Sequence, residues 1–108
     1  MSYPVVTICG SMKFYQEMLI TAEEWTRNGY IVLMPFSVKA AGQLGPDGAM
    51  LDDMHRRKID MCGRVVVVMR GWYMGDSTHG EVAYADSLNI PVQFVNYSTE
   101  KMEHKRGE

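Results

Sequence analysis

A chain of 108 residues, 46% of them hydrophobic, is long enough for one domain with one core and too short for two. Its formal net charge of −2 provides no basic face to neutralise a run of phosphates, so polymeric nucleic acid is not an expected partner. No apolar run reaches the length of a bilayer span, and no charged segment followed by an apolar stretch opens the chain, so a cytoplasmic protein without membrane contact is expected.

Pro4 to Cys9 reads as a first strand, followed by a helix from about Met12 to Asn28 with Ser11 as its N-cap. Phe14, Met18, Ala22 and Trp25 share one face of that helix, Asn28-Gly29 stops it, and Glu17, Glu23, Glu24 and Arg27 are assigned to its solvent side. Tyr30 to Met34 is a second strand. Residues 37–48 form a loop rich in glycine and small side chains, and a second helix runs from about Ala49 to Cys62. In it, Asp52 with Arg56 and Asp53 with Arg57 are acid-before-base pairs of a solvated face. Leu51, His55, Ile59 and Cys62 form the opposite stripe, which turns His55 inward or to the rim of the sheet, as a core-edge histidine or as a site residue.

Arg64-Val-Val-Val-Val-Met-Arg70 is an unbroken apolar run suited to a strand covered on both faces. After it, Glu81 to Leu88 reads as a third helix, stopping at Asn89 with Pro91 just beyond, and Val92 to Val95 is a fourth strand. One domain spans 1–96, and 97–108 reads as a polar, mobile tail with Tyr97 or Ser98 at its root within reach of a site.

Cys9 and Cys62 lack metal-ligand or disulfide spacing and read as small buried hydrophobes, and His55, His79 and His104 are scattered. No metal and no cofactor is expected. The ten methionines are read chiefly as core filling.

Strand and helix alternate throughout, which means βαβ units, a mainly parallel sheet of four to five strands and helices on both faces. In a strand order of 2-1-3-4 the first and third strands are neighbours from which the chain departs in opposite directions, and ligands bind in the crevice at their carboxyl ends. Gly10-Ser11-Met12-Lys13 and Arg70 to Glu81 meet there. Gly10-Ser11 opens a helix and can hold an anion on backbone N–H groups, with Lys13 adding charge; it is neither GxGxxG nor a P-loop, so neither dinucleotide nor ATP is expected. Gly75-Asp76-Ser77-Thr78 is a second helix entrance. Phe36, Trp72 and Tyr73 are aromatics at the same edge, available to stack on a flat ring or to cover the end of the core. Glu81 fits a Thr78-x-x-Glu81 capping box, but the convergence of two anion-friendly helix starts on one carboxylate makes it a candidate functional group.

Ile8-Cys9-Gly10-Ser11-Met12-Lys13, Leu51-Asp-Asp-Met-His55-Arg-Arg-Lys-Ile59, the valine strand, Gly71-x-x-x-Gly75-Asp-Ser-Thr78 and Glu81-Val-Ala-Tyr-Ala85 together resemble the nucleoside 2-deoxyribosyltransferase superfamily, which includes deoxynucleoside 5′-monophosphate N-glycosidases. The resemblance covers roughly residues 5–95. It implies a flavodoxin- or Rossmann-like three-layer sandwich and cleavage of the N-glycosidic bond of a (deoxy)nucleoside 5′-monophosphate, with Glu81 as an ionised nucleophile and release of the free base. Ser11 and Lys13 match a phosphate-holding Ser-x-Arg, with lysine in place of arginine. Ser77 is a second phosphate or sugar ligand, and Gly10, Gly75, Phe36, His55, Trp72 and Tyr73 complete the pocket. Family members carry an aspartate where His55 or Arg56 aligns here. Asp52, Asp53 or Asp60 after a shift, or Asp76, stand as the general acid. The resemblance also implies a homodimer or larger homo-oligomer completing the site. Transfer of 2-deoxyribose between bases on unphosphorylated nucleosides, and a nucleotide-binding module without turnover, are the alternatives.

Overall fold

The run Val65 to Met69 is buried at every residue, as a strand covered on both faces must be. It forms the middle of β3 (Arg64–Arg70), which pairs in parallel with β1 (Val5–Gly10) on one side and β4 (Val92–Tyr97) on the other. β2 (Ile31–Leu33) pairs in parallel outside β1, so the four parallel strands stand in the order 2-1-3-4 of a flavodoxin-like sandwich. The computed structural model describes residues 2–36 and 48–98 and the backbone of 104–105. That last pair, β5 (His104–Lys105), adds an antiparallel edge to β4, so the fifth strand does not share the parallel direction expected of the sheet.

Side-chain alternation sorts the core into two layers. Val6, Ile8, Val66, Val68, Val95 and Tyr97 meet Phe14 and Met18, which places α1 (Tyr15–Arg27) on one face. Cys9, Val65, Val67 and Met69 point the other way, against Ile59 of α2 (Gly48–Asp60) and Ala85 of α3 (Asp76–Ser87).

Both helix stops read from sequence are Schellman turns. Gly29 takes φ +89°, with Tyr30 N–H donating to the Trp25 carbonyl at 3.1 Å. Asn89 takes φ +60°, with Ile90 N–H donating to the Ala85 carbonyl at 3.0 Å. Helix starts differ more. Ser11 caps a 3₁₀ turn, Met12–Phe14, by accepting from Lys13 N–H at 3.2 Å, and α1 begins after it. The third helix begins at Asp76 with Gly75 as N-cap, within the entrance read over Gly75 to Thr78 and ahead of the start that a Thr78 cap would set.

Four expectations change at the level of packing. Glu17, assigned to solvent, is 0% exposed, because α1 presents it to the sheet beside Phe14, Met18 and Thr21. The described methionines divide between core and surface: Met18 and Met69 are buried and Met34 and Met74 pack against the core, while Met12, Met50, Met54 and Met61 are exposed. Cys62 is only partly buried, with its thiol donating to the Ile59 carbonyl at 3.1 Å. Tyr97 belongs to β4, and its buried hydroxyl lies 2.7 Å from Thr21 Oγ1, so the strand runs two residues beyond Val95. The loop expected over 37–48 lies, up to residue 47, outside the described residues.

Gly10 is fixed by close approach. A Cβ there would sit 2.8 Å from the Val68 carbonyl oxygen and 3.3 Å from Met18 Sδ. The first contact is backbone in the neighbouring strand and cannot swing away, so Gly10→Ala is expected to cost about 1–3 kcal/mol, read as a lowered melting temperature.

Candidate active site

β1 and β3 are adjacent and their chains leave in opposite directions, so the crevice expected at a topological switch point opens beyond Gly10 and Arg70. A cavity of about 390 Å³ lies there, in the size range of small-molecule sites. Eight residues singled out from sequence line it: Gly10, Ser11, Phe36, His55, Gly75, Asp76, Ser77 and Glu81. Met12, Pro35, Gly48, Leu51, Asp52 and Thr78 complete the lining.

Glu81 stands in the second turn of α3, because the helix starts at Asp76. A capping-box glutamate occupies the third helical position, which here belongs to Thr78. The capping account of Glu81 therefore fails, and its carboxylate, 8% exposed, is left facing the cavity. Burial pushes its pKa up to about 7, and the Asp52 charge adds to the rise, while the Cys9 thiol and Arg56 oppose it. The start of α3 does not keep Glu81 fully ionised at neutral pH, contrary to the expectation from sequence, since the macrodipole's influence is concentrated in the first turn.

His55 lies on the inward stripe of α2, as its spacing requires, and is 5% exposed. Its Nε2 is 3.4 Å from Cys9 Sγ and 3.9 Å from Glu81 Oε1. Burial, followed by the Lys58 charge, depresses its pKa to about 4, so the ring is neutral near pH 7. The Cys9 thiol is pushed far up by burial and then by Glu81, so it is protonated. Cys9, from the end of β1, thus meets one residue from each of the two helices on its face of the sheet.

Lys13, Trp72 and Tyr73 lie outside the lining. Lys13 Nζ sits 5.0 Å from the centroid of the Tyr73 ring, and that ring is edge-on to Phe14 with centroids 5.9 Å apart. Trp72 is 68% exposed at a turn in which Gly71 and Trp72 both have positive φ, 60° and 63°. The turn is held by Trp72 N–H donating to Asn96 Oδ1 at 2.7 Å. Of the three helix aspartates considered as acids, only Asp52 reaches the cavity; Asp60 approaches Arg57 at 3.2 Å and accepts from Tyr84 Oη at 2.6 Å, and Asp53 faces Arg57 at 3.9 Å.

Cys9 is the neighbour of Glu81 that sequence reasoning did not place at the site, whereas Asp52 stood both in an i,i+4 pair and among the candidate acids. The parity of β1 could have placed Cys9, since it points opposite to Ile8 and so toward α2 and α3.

No protein-family profile and no curated protein matches the sequence. Solved structures do. A 2-deoxyribosyltransferase from Leishmania mexicana superposes with a TM-score of 0.58 at 15% identity, covering 89% of this chain and 65% of that one. The chain has a nucleoside deoxyribosyltransferase-like fold. A conserved protein from Enterococcus faecalis V583 gives a TM-score of 0.65 at 13% identity, covering 86% and 63%. The chain therefore spans a little under two thirds of the length of either structure. Among the described residues no helix is long and apolar enough to cross a membrane.

Proposed function

We propose that this chain cleaves the N-glycosidic bond of a (deoxy)nucleoside 5′-monophosphate through Glu81 and releases the free base. The observation that carries the reading is the buried carboxylate of Glu81, unused by the helix cap and facing a cavity at the switch point of a deoxyribosyltransferase-like sheet. The carboxylate oxygen bonds to C1′ as the C1′–N bond breaks, and the departing base takes a proton from Asp76 or from Asp52, the other carboxyl groups on the cavity. Water then adds at C1′ as the ester bond to Glu81 breaks, and it gives its proton to the same Asp76 or Asp52 carboxylate that protonated the base, which releases the sugar phosphate and restores both groups. The α3 N-terminus at Gly75 to Thr78, Gly10 and the hydroxyls of Ser11 and Ser77 form the phosphate and sugar cradle. Phe36 stacks on the base, His55 flanks Glu81, and Lys13, Trp72 and Tyr73 act only at the outer edge.

The cavity's charge favours a second reading, 2-deoxyribosyl transfer between bases on unphosphorylated nucleosides. Asp52, Asp76 and Glu81 line the cavity, and among the described residues no Lys or Arg does, which disfavours a phosphate dianion. In either reading a second copy of the chain covers the open side against the exposed Phe36, giving a homodimer or larger assembly.

The test is chromatographic detection of free base from a panel of deoxy- and ribonucleosides and their 5′-monophosphates, with and without an acceptor base. Release from monophosphates alone supports the first reading, and base exchange on nucleosides supports the second. Saturable binding without product at any pH would replace both with a binding module. On a competent substrate, kcat/KM is expected to rise as Glu81 ionises toward about pH 7 and to fall again where the carboxyl group that protonates the base loses its own proton. A profile flat from pH 5 to pH 8, on the order of three units, would remove Glu81 from the rate law.

A further inference from the structure

Cys9 has no part in the chemistry above, yet it lies against the proposed nucleophile. Cys9 Sγ, His55 Nε2 and a Glu81 carboxylate oxygen all lie within 4.8 Å of one another, and all three residues are buried. A nucleophilic relay is excluded by its geometry: thiol and carboxylate both face the same imidazole nitrogen, at 3.4 and 3.9 Å, whereas a relay uses the two nitrogens on opposite sides of the ring.

Three donors converging on one point are the arrangement of a metal site. A tetrahedral zinc centre with ordinary bond lengths separates sulfur from nitrogen by about 3.6 Å and nitrogen from oxygen by about 3.4 Å. The observed 3.4 Å between Cys9 Sγ and His55 Nε2 lies close to the first, and a small shift of the Glu81 carboxylate would bring its 3.9 Å from His55 Nε2 to the second. A thiolate and a carboxylate against a divalent cation, with a neutral imidazole, give zero net charge, the form that burial tolerates. Thiolate and imidazole select zinc and its soft neighbours over magnesium or calcium.

We propose that Cys9, His55 and Glu81 form a zinc-binding site at the floor of the cavity, and that zinc bound there inhibits by occupying the carboxylate that would attack C1′. Binding forms a Zn–S bond and releases the Cys9 proton to solvent; His55 binds through the Nε2 lone pair with its proton on Nδ1, and Glu81 through an oxygen lone pair. His55 and Glu81 line the cavity, so the fourth coordination position opens toward it. The binding claim stands on these three residues alone, whereas the inhibitory claim rests on the function proposed for Glu81.

Cobalt(II) is the probe, added to the full chain after chelator treatment and in a non-thiol reductant. One equivalent is expected to produce a thiolate-to-cobalt charge-transfer band and d–d bands of a low-coordinate site, bleached by stoichiometric zinc and untouched by magnesium. Cys62→Ser should keep the band and Cys9→Ala should lose it. Absence of the band in the parent, or its survival in Cys9→Ala, overturns the site. If Cys9→Ala does not fold, Glu81→Gln replaces it: cobalt affinity should fall about a hundredfold or more, and unchanged affinity overturns the site. Zinc should suppress base release and chelator should restore it, and base release by the zinc-loaded chain overturns the inhibitory role. A cobalt spectrum from a chain that releases no base when metal-free sustains the site and defeats the glycosidase reading; base release without a cobalt spectrum does the reverse.

Discussion

Glu81→Gln is expected to lower the rate of base release at least about a thousandfold in metal-free buffer, with the fold retained. Glutamine keeps the shape of the side chain but cannot form and release a glycosyl ester, so the loss should appear in kcat. Loss of a positioning contact would instead fall mainly on KM. Stability provides an independent reading of the same substitution. Folded Glu81 holds its proton up to about pH 7, against an ordinary 4.5, so over that interval the folded state binds more protons than the unfolded state. The carboxylate therefore costs nothing below about pH 4.5 and costs stability as pH rises through 7. His55 acts oppositely. Its pKa falls from 6.5 to about 4 on folding, so stability rises with pH across that range. In the parent the two trends oppose each other between about pH 4.5 and 6.5. In Glu81→Gln the rise from His55 is uncovered, and the variant should gain on the order of 2–3 kcal/mol over the parent above pH 7, with parity at low pH. Chemical denaturation across this range is the measurement, and a parent-to-variant difference that ignores pH would show that Glu81 is not desolvated.

Arg70→Ala is expected to destabilise the protein by about 2–3 kcal/mol. Both Nε and Nη2 of Arg70 reach Glu17 Oε2 at 2.6 Å, and Glu17 is 0% exposed with its other oxygen lacking a hydrogen-bond partner among the described residues. Removing the guanidinium leaves a buried carboxylate without its counter-charge. The cost falls below that of a fully buried pair because the Arg70 side chain is 39% exposed and water can enter in its place. Replacing both partners, Glu17→Met with Arg70→Met, should recover most of the loss, since apolar groups of similar volume leave no stranded charge. Equal losses in the single and double variants would mean that packing of the Arg70 stem over the Phe14 ring, 5.2 Å from guanidinium carbon to centroid, matters more than the charge pair.

Local chemistry made much of this fold legible. The valine run of β3 could be read as a strand covered on both faces, and Asn28-Gly29 and Asn89 could be read as helix stops, because each depends on a few adjacent residues. Strict alternation of strand and helix made a parallel sheet legible, and the order 2-1-3-4 taken with it, which sets the crevice at the ends of β1 and β3, is the order of the four parallel strands. Glu81, His55, Ser11, Ser77 and Asp76 line the cavity there, as candidates read from segments that end at that crevice.

Packing between distant segments decided the rest. Glu17 looks like a surface residue by its charge, and only Arg70, arriving from the end of β3, makes its burial tolerable. The third helix is capped at Gly75 rather than at Thr78, and this takes the Glu81 carboxylate out of the cap. Lys13, one residue beyond the lining residue Met12, packs on Tyr73 instead of entering the cavity. Cys9 and His55 are 46 residues apart, a separation with no metal-ligand signature, yet strand parity and helix phase bring them to 3.4 Å beside Glu81. Composition and periodicity assign a residue to an element and a face; what that residue touches across the sheet depends on how three independently formed elements dock, and that is set by the tertiary fold.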